Sequence, residues 1–293
     1  MDRVGIQKAS YPSRQVVVSL LEMLEPVNIR SDESVVVKPN ISYHRNPHGM
    51  VVTDFRIIDV VLEWLKERTD KVTVVESDSR SGSADYRAEA LGLNNLLART
   101  GFAFRNLSEE NDLLTMNADG VTFHIPKLVA EADYVVNLPK LKTCAGMTVT
   151  LSLKNSFGLI ADRNKPSMHK YLDKILLEVN RSIRKQLILV DGIVGMEGNG
   201  PLLGEPVQMG TMVAGTGPAS VDAVCSRVMG FDPSQISHIK VSSEGGLGTL
   251  DPEKISIVGE DVRTVSRSFA PPSFAPRSIA KTLKSAAKLY LSK

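Results

Sequence analysis

DYVVNLPKLKTCAGMTVTLSLKNSFG, residues 133–158, sets a short β-branched run at 133–136 against a polar ending, Asn137 to Lys140. A longer apolar segment follows, interrupted by Lys154 and Asn155. The first run has the length and β-branched density of a fully buried strand. Read as a helix from about Gly146, the second places Met147, Thr150, Leu151, Lys154 and Gly158 on one stripe at i, i+3, i+4 spacing. A lysine on that stripe must extend its ammonium to water, pair with an acid, or meet an anionic ligand.

Three more runs share this form and set the fold class. Residues 34–37 run into Lys38-Pro39-Asn40, 71–75 into Glu76-Ser77-Asp78-Ser79, and 187–190 into Asp191-Gly192. Helical patterns lie between and after them at 54–68, 86–97, 167–183 and 218–229, the first with Thr53 as its expected N-cap. Strands alternating with helices predict an α/β fold with a mostly parallel central sheet flanked by helices. Residues 102–125, with an Asn-Ala-Asp-Gly turn, read as a small hairpin-bearing insertion within a core of residues 1–259. A Pro/Ser/Arg-rich linker then leads to a short basic amphipathic helix in SIAKTLKSAAKLYLSK, residues 278–293, which would suit a protein partner.

The totals exclude several classes. A formal charge of +2 over 293 residues is too mild for a nucleic-acid footprint, so charge has to be read locally. No stretch reaches the ~18 uninterrupted apolar residues of a membrane span, and the first residues lack the apolar core of a signal peptide. Cys144 and Cys225 are the only cysteines, too few for a self-contained iron–sulfur cluster, and they fit a reducing, cytoplasmic setting.

Ligands of open α/β sheets sit beyond the strand carboxyl ends, where these polar endings lie. Lys38, Asn40, Lys140, Lys142, Thr143, Lys154 and Asn155 would gather there, and several ammonium groups repel unless an anion stands among them. Amides near 145–148, at the start of the expected helix, would assist. The glycine-rich LVDGIVGMEGNGPLLGEP places Gly195, Glu197, Gly198, Asn199 and Gly200 after Asp191, where backbone could approach and close over a ligand. A plain irregular turn explains it equally, since neither the GK[ST] nor the GxGxxG pattern is present. Lys142, Lys154, His169, Glu76 and Asp78 are the expected catalytic residues; Glu76, Asp78, Asp191 and Glu197 would supply counter-charge, metal ligation or proton transfer, and His169 is the best single candidate to move a proton. The five histidines, His44, His48, His124, His169 and His238, have no short metal-ligand spacing.

VVVKPNIS at 35–42, VVESDS at 74–79, residues 137–158, VDGIVGMEGNGPLLGEPV at 190–207 and VDAVCSRVMG at 221–230, taken together, resemble the domain of unknown function 362 family. Longer relatives join this domain to a ferredoxin-like module with two cysteine runs, and this sequence carries no such runs. The resemblance therefore implies no redox reaction here, and it supplies no substrate. In overall style rather than motif, the chain also resembles the nickel-pincer lactate racemase group, which would imply a hydroxy-acid isomerase. The expected function is binding of a phosphate- or carboxylate-bearing metabolite or cofactor in a lysine-rich pocket, by an enzyme of unassigned reaction. A non-catalytic accessory protein serving a separate redox partner is the alternative.

Overall fold

The computed structural model describes residues 1–24, 27–273 and 275, so the expected basic C-terminal helix lies outside the described residues. The strands are β1 (Asp2–Lys8), β2 (Val35–Pro39), β3 (Val72–Glu76), β4 (Ala103–Asn106), β5 (Leu113–Ala118), β6 (Val121–Pro126), β7 (Tyr134–Leu138), β8 (Lys140–Cys144), β9 (Thr148–Val149), β10 (Gln186–Asn199), β11 (Leu203–Gly215) and β12 (Ile255–Gly259). The helices are α1 (Arg14–Met23), α2 (Phe55–Lys66), α3 (Ala84–Ala90), α4 (Leu93–Thr100), α5 (Lys127–Ala130), α6 (Leu151–Asn155), α7 (Leu172–Arg181), α8 (Pro218–Val228), α9 (Ser237–Glu244) and α10 (Val262–Val265).

The main sheet runs β12-β1-β11-β10-β7-β2-β3-β4. From β10 to β4 all pairings are parallel, while β11 lies antiparallel to both β10 and β1. The sheet is α/β and mostly parallel at its centre, as the alternation of runs predicts.

Its two faces are fixed by alternation along buried strands. Val35, Val37 and Val74 join one core with Leu20, Ile58, Leu62 and Leu97 of α1, α2 and α4. Val36, Val75 and Val135 point the other way, onto Ile175 and Val179 of α7 and Phe123 of the hairpin. That hairpin, β5–β6, forms its own two-stranded sheet, whereas β4 joins the edge of the main sheet.

Three local expectations are corrected. The segment after Gly146 is not one helix: Gly146 is left-handed at φ 83°, Thr148 and Val149 pair with β8, and α6 holds only five residues. The cause lies upstream, where Pro139 interrupts the chain after β7 but lets it continue extended as β8, carrying Lys140 and Lys142 alongside β10. Second, α2 is capped by Asp54, whose carboxylate accepts the Arg56 amide. The Thr53 hydroxyl is otherwise engaged, donating to the Leu138 carbonyl at 2.6 Å and accepting the Asn40 amide at 2.9 Å. Third, the helix expected over 86–97 is two, parted at Gly92, which adopts φ 79°.

Candidate functional site

At the carboxyl ends of β2 and β3 the structure opens a cavity of about 400 Å³. Lys38, Arg80, Arg87, Lys142, Lys154 and Lys165 line it, and among the described residues Glu76 is the one carboxylate that does so. The deepest of these cations are buried: Arg87 and Lys142 are 0% exposed and Lys38 is 1% exposed. Each is held differently, and the differences set what each can do.

Lys38 is neutralised within the fold. Its Nζ lies 2.7 Å from Glu76 Oε2 and 2.7 Å from the Pro39 carbonyl. Burial pushes its pKa below the ordinary lysine value, and Glu76 opposes that fall. Gly158 passes directly over the pair. A Cβ there would collide with Glu76 Oε1 and stand 2.5 Å from Lys38 Cε and 2.8 Å from its Nζ. Gly158→Ala should therefore prise the pair apart and cost about 1–3 kcal/mol, the usual range for overpacking, read as a lowered denaturation midpoint.

Among the described residues, Lys142 has no carboxylate partner. Its Nζ donates to Asn40 Oδ1 at 3.2 Å, Ser42 Oγ at 3.0 Å and the Val51 carbonyl at 2.7 Å, which occupies all three ammonium hydrogens with neutral acceptors. Burial, with Lys154 and Lys140 nearby, brings its pKa down to about 7. Lys165 is alike: it donates to Ser77 Oγ and to the Asp78 carbonyl at 3.1 Å, and burial lowers it to about 8. Arg87 of α3 reaches the carbonyls of Ile41 (2.8 Å), Ser77 (2.7 Å) and Gly82, and Ser79 Oγ at 2.9 Å. It too is a buried cation tied only to neutral groups. Among the described residues, no hydrogen bond or ion pair reaches Lys154 Nζ. The Thr150 hydroxyl, on the same wall, is buried without a partner.

The expected site residues divide. Lys38, Asn40, Glu76, Lys142, Lys154, Asn155 and His169 share the cavity wall. Asn155 also braces it, donating to the Lys38 carbonyl at 3.2 Å and to Asn137 Oδ1 at 2.8 Å. His169 Nδ1 lies 3.1 Å from the Lys165 carbonyl. A carbonyl only accepts, so Nδ1 carries the hydrogen and Nε2 is the free lone pair of the neutral ring.

The others stand elsewhere for identifiable reasons. Lys140 and Asp191 pair with each other at 2.7 Å, at 1% and 0% exposure, and Asp191 also accepts the Asp54 amide at 2.8 Å. Asp78 accepts from Ala84 N and Asn106 Nδ2 and pairs with Arg163, holding the entry to α3. The glycine-rich stretch forms the long hairpin β10–β11, and several of its amides and side chains meet the chain's own later segment. Gly198 N donates to the Ala270 carbonyl, Glu197 accepts from Ala270 N, Asn199 exchanges hydrogen bonds with Ser273, and Gly195 passes beside the Phe269 ring. Thr143 donates to the Gly198 carbonyl at 2.8 Å, and Gly200 is required because a Cβ would strike the Thr143 carbonyl. Only Pro201 and Leu202 of this hairpin reach the cavity.

No helix begins at 145–148, since α6 starts at Leu151. Ala145 N bonds the Gly200 carbonyl, and Met147 N and Val149 N are taken locally. The first amides of α6, from Ser152 and Leu153, are capped by Asp222 of α8 at 2.8 and 3.0 Å.

Arg87, Lys165, Thr150 and Asp222 carry no chemical role in the sequence reading. Lys165 stands in RNKPSMHK, where the neighbouring histidine draws attention, and Arg87 is an arginine like many on exposed helix faces. Their burial is tertiary, and no local spacing announces it. Among the described residues, no group of three or more His, Cys, Asp or Glu side chains is placed to hold a metal ion, and no helix is long and apolar enough to cross a membrane.

Residues 35–227, from β2 to the helix that caps α6, match the family model described as "Domain of unknown function (DUF362)". The chain is also similar to the "Thylakoid-associated protein sll1697" of Synechocystis sp., with 28% identity over 257 residues, 83% of this chain and 78% of that protein. No solved structure matches it. With most of its length inside the family match, the chain belongs to DUF362.

Proposed function

We propose that the cavity binds a small anionic metabolite or cofactor through phosphate or carboxylate oxygens, and that the protein is an enzyme acting on it. The observation that carries this is the charge imbalance on the wall: Lys142, Lys165 and Arg87 are buried against neutral acceptors, and among the described residues no hydrogen bond or ion pair reaches Lys154. Burying an ammonium or guanidinium without a counter-charge is costly, and an anion among these groups offsets that cost. The unpartnered Thr150 hydroxyl adds a donor on the same wall.

Lys165 and Lys154 meet the anion's oxygens, Lys142, whose hydrogens are already engaged, attracts it through charge, and Glu76 holds Lys38 in place. Proton transfer is the chemistry open to such a site. Amines titrating near 7 and 8 and the free Nε2 of His169 lie within one cavity, so a proton can be given or taken close to a bound oxyanion. The test is titration calorimetry with inorganic pyrophosphate at low salt. One saturable site is expected; absence of binding to the wild type would remove the reading.

A further inference from the structure

The cavity is graded in polarity. Its floor is charged and buried, with Lys38, Lys142 and Arg87 at 1% exposure or less and Lys165 at 6%. Part of its mouth is apolar: Phe157, Pro166, Pro201 and Leu202 line it, all at least partly exposed, beside the polar Ser79, Arg80, Ser81 and Lys154. The His169 ring stands edge-on to Phe157 with centroids 5.8 Å apart, so the two present a stiff aromatic corner. Lys165 lies 5.7 Å from the Phe157 ring centre, joining the corner to the charged floor.

Size points the same way as polarity. At about 30 Å³ per water, the cavity's roughly 400 Å³ holds about a dozen, whereas a bare phosphate or carboxylate displaces only a few. A bare anion on the floor would leave the apolar collar lined by water.

Resting on the reading of the floor as an anion site, we infer that the ligand is an amphiphilic anion. Its phosphate or carboxylate head reaches the lysines, and a flat apolar body of roughly one or two rings fills the collar between Phe157 and the Pro201–Leu202 hairpin tip. The buried cations of the floor favour the head inward, with the body against the apolar part of the mouth. Neutral planar molecules would lack the head that offsets the floor's charge. Small inorganic anions would lack the body.

The experiment is a wild-type affinity series at one pH: methyl phosphate, phenyl phosphate and 1-naphthyl phosphate, with 1-naphthol as the neutral control. Affinity should rise at each step, by about tenfold or more from methyl to naphthyl, because each added ring surface leaves water. Phe157→Ala should shrink that gain, because it removes an apolar face of the mouth. Equal affinity for methyl and naphthyl phosphates would overturn the amphiphile and leave the anion site standing. If none of the phosphates bound, or if 1-naphthol bound as tightly as 1-naphthyl phosphate, the anion reading itself would fall with it. The series on the wild type decides the matter even if Phe157→Ala folds poorly.

Discussion

Lys142→Met should weaken pyrophosphate binding by about tenfold or more, because it removes a buried cation whose attraction for the anion is little screened inside the cavity. The same variant carries a second signature that needs no ligand. Burial lowers the folded pKa of Lys142 to about 7, well below the ~10.4 of an unfolded lysine. Between those values the unfolded chain binds more protons, so this lysine opposes folding fully below about pH 7 and progressively less as pH rises toward 10. The stability of wild type relative to Lys142→Met should therefore climb with pH across that window, with a slope approaching about 1.4 kcal/mol per pH unit. Below about pH 6 the difference should be flat. Denaturant midpoints from pH 5.5 to 9.5 measure it, and a flat difference throughout would show that the lysine is neither buried nor unpaired in the manner described.

Asp191→Ala should destabilise the fold by about 3–5 kcal/mol, since it strands the buried Lys140 ammonium without its counter-charge. It also leaves the Asp54 amide without its acceptor, at the start of α2. Its meaning depends on the pair. Lys140→Met combined with Asp191→Leu removes both charges together and should recover much of the loss. Pyrophosphate affinity in that double variant should stay within a few-fold of wild type, because neither residue lines the cavity. Chemical denaturation of the single and double variants, with one titration of the double, separates this structural ion pair from the ligand-facing lysines. Loss of binding in the double variant would place Lys140 back in the site.

The parallel centre of the sheet was legible because its strands are buried on both faces. Val35–Val37 and Val135–Val136 must be apolar on every side, and so they appear as continuous β-branched runs. Helix α2 was equally plain from its stripe of Ile58, Val61, Leu62 and Leu65. From Gly146 to Gly158 a period of 3.6 runs across residues whose spacing is set by tertiary contacts. Pro139 prolongs an extended chain, Gly146 turns it, and Asp222, some 70 residues later, starts the short helix.

Among the candidate lysines, pairing was the hidden variable. Lys38, Lys140 and Lys142 all sit after or within short strands and look alike in sequence. The fold supplies a carboxylate to Lys38 and to Lys140, and only neutral acceptors to Lys142. Each of those partners lies at least 38 positions away along the chain, beyond the reach of any local motif.

The most direct test of the central claim, that an anion completes the charge of this cavity, is proton uptake on binding. Sulfate keeps two negative charges throughout the neutral range, so any proton taken up belongs to the protein. Titration calorimetry with sulfate at pH 7.5, in buffers of different ionisation enthalpy, should show net uptake of a fraction of a proton, because the bound anion raises the pKa values of Lys142 and Lys165 from about 7 and 8. Uptake should vanish near pH 5.5, where both amines are already charged. Saturable binding with no buffer dependence at pH 7.5, or no sulfate binding at all, would contradict the account.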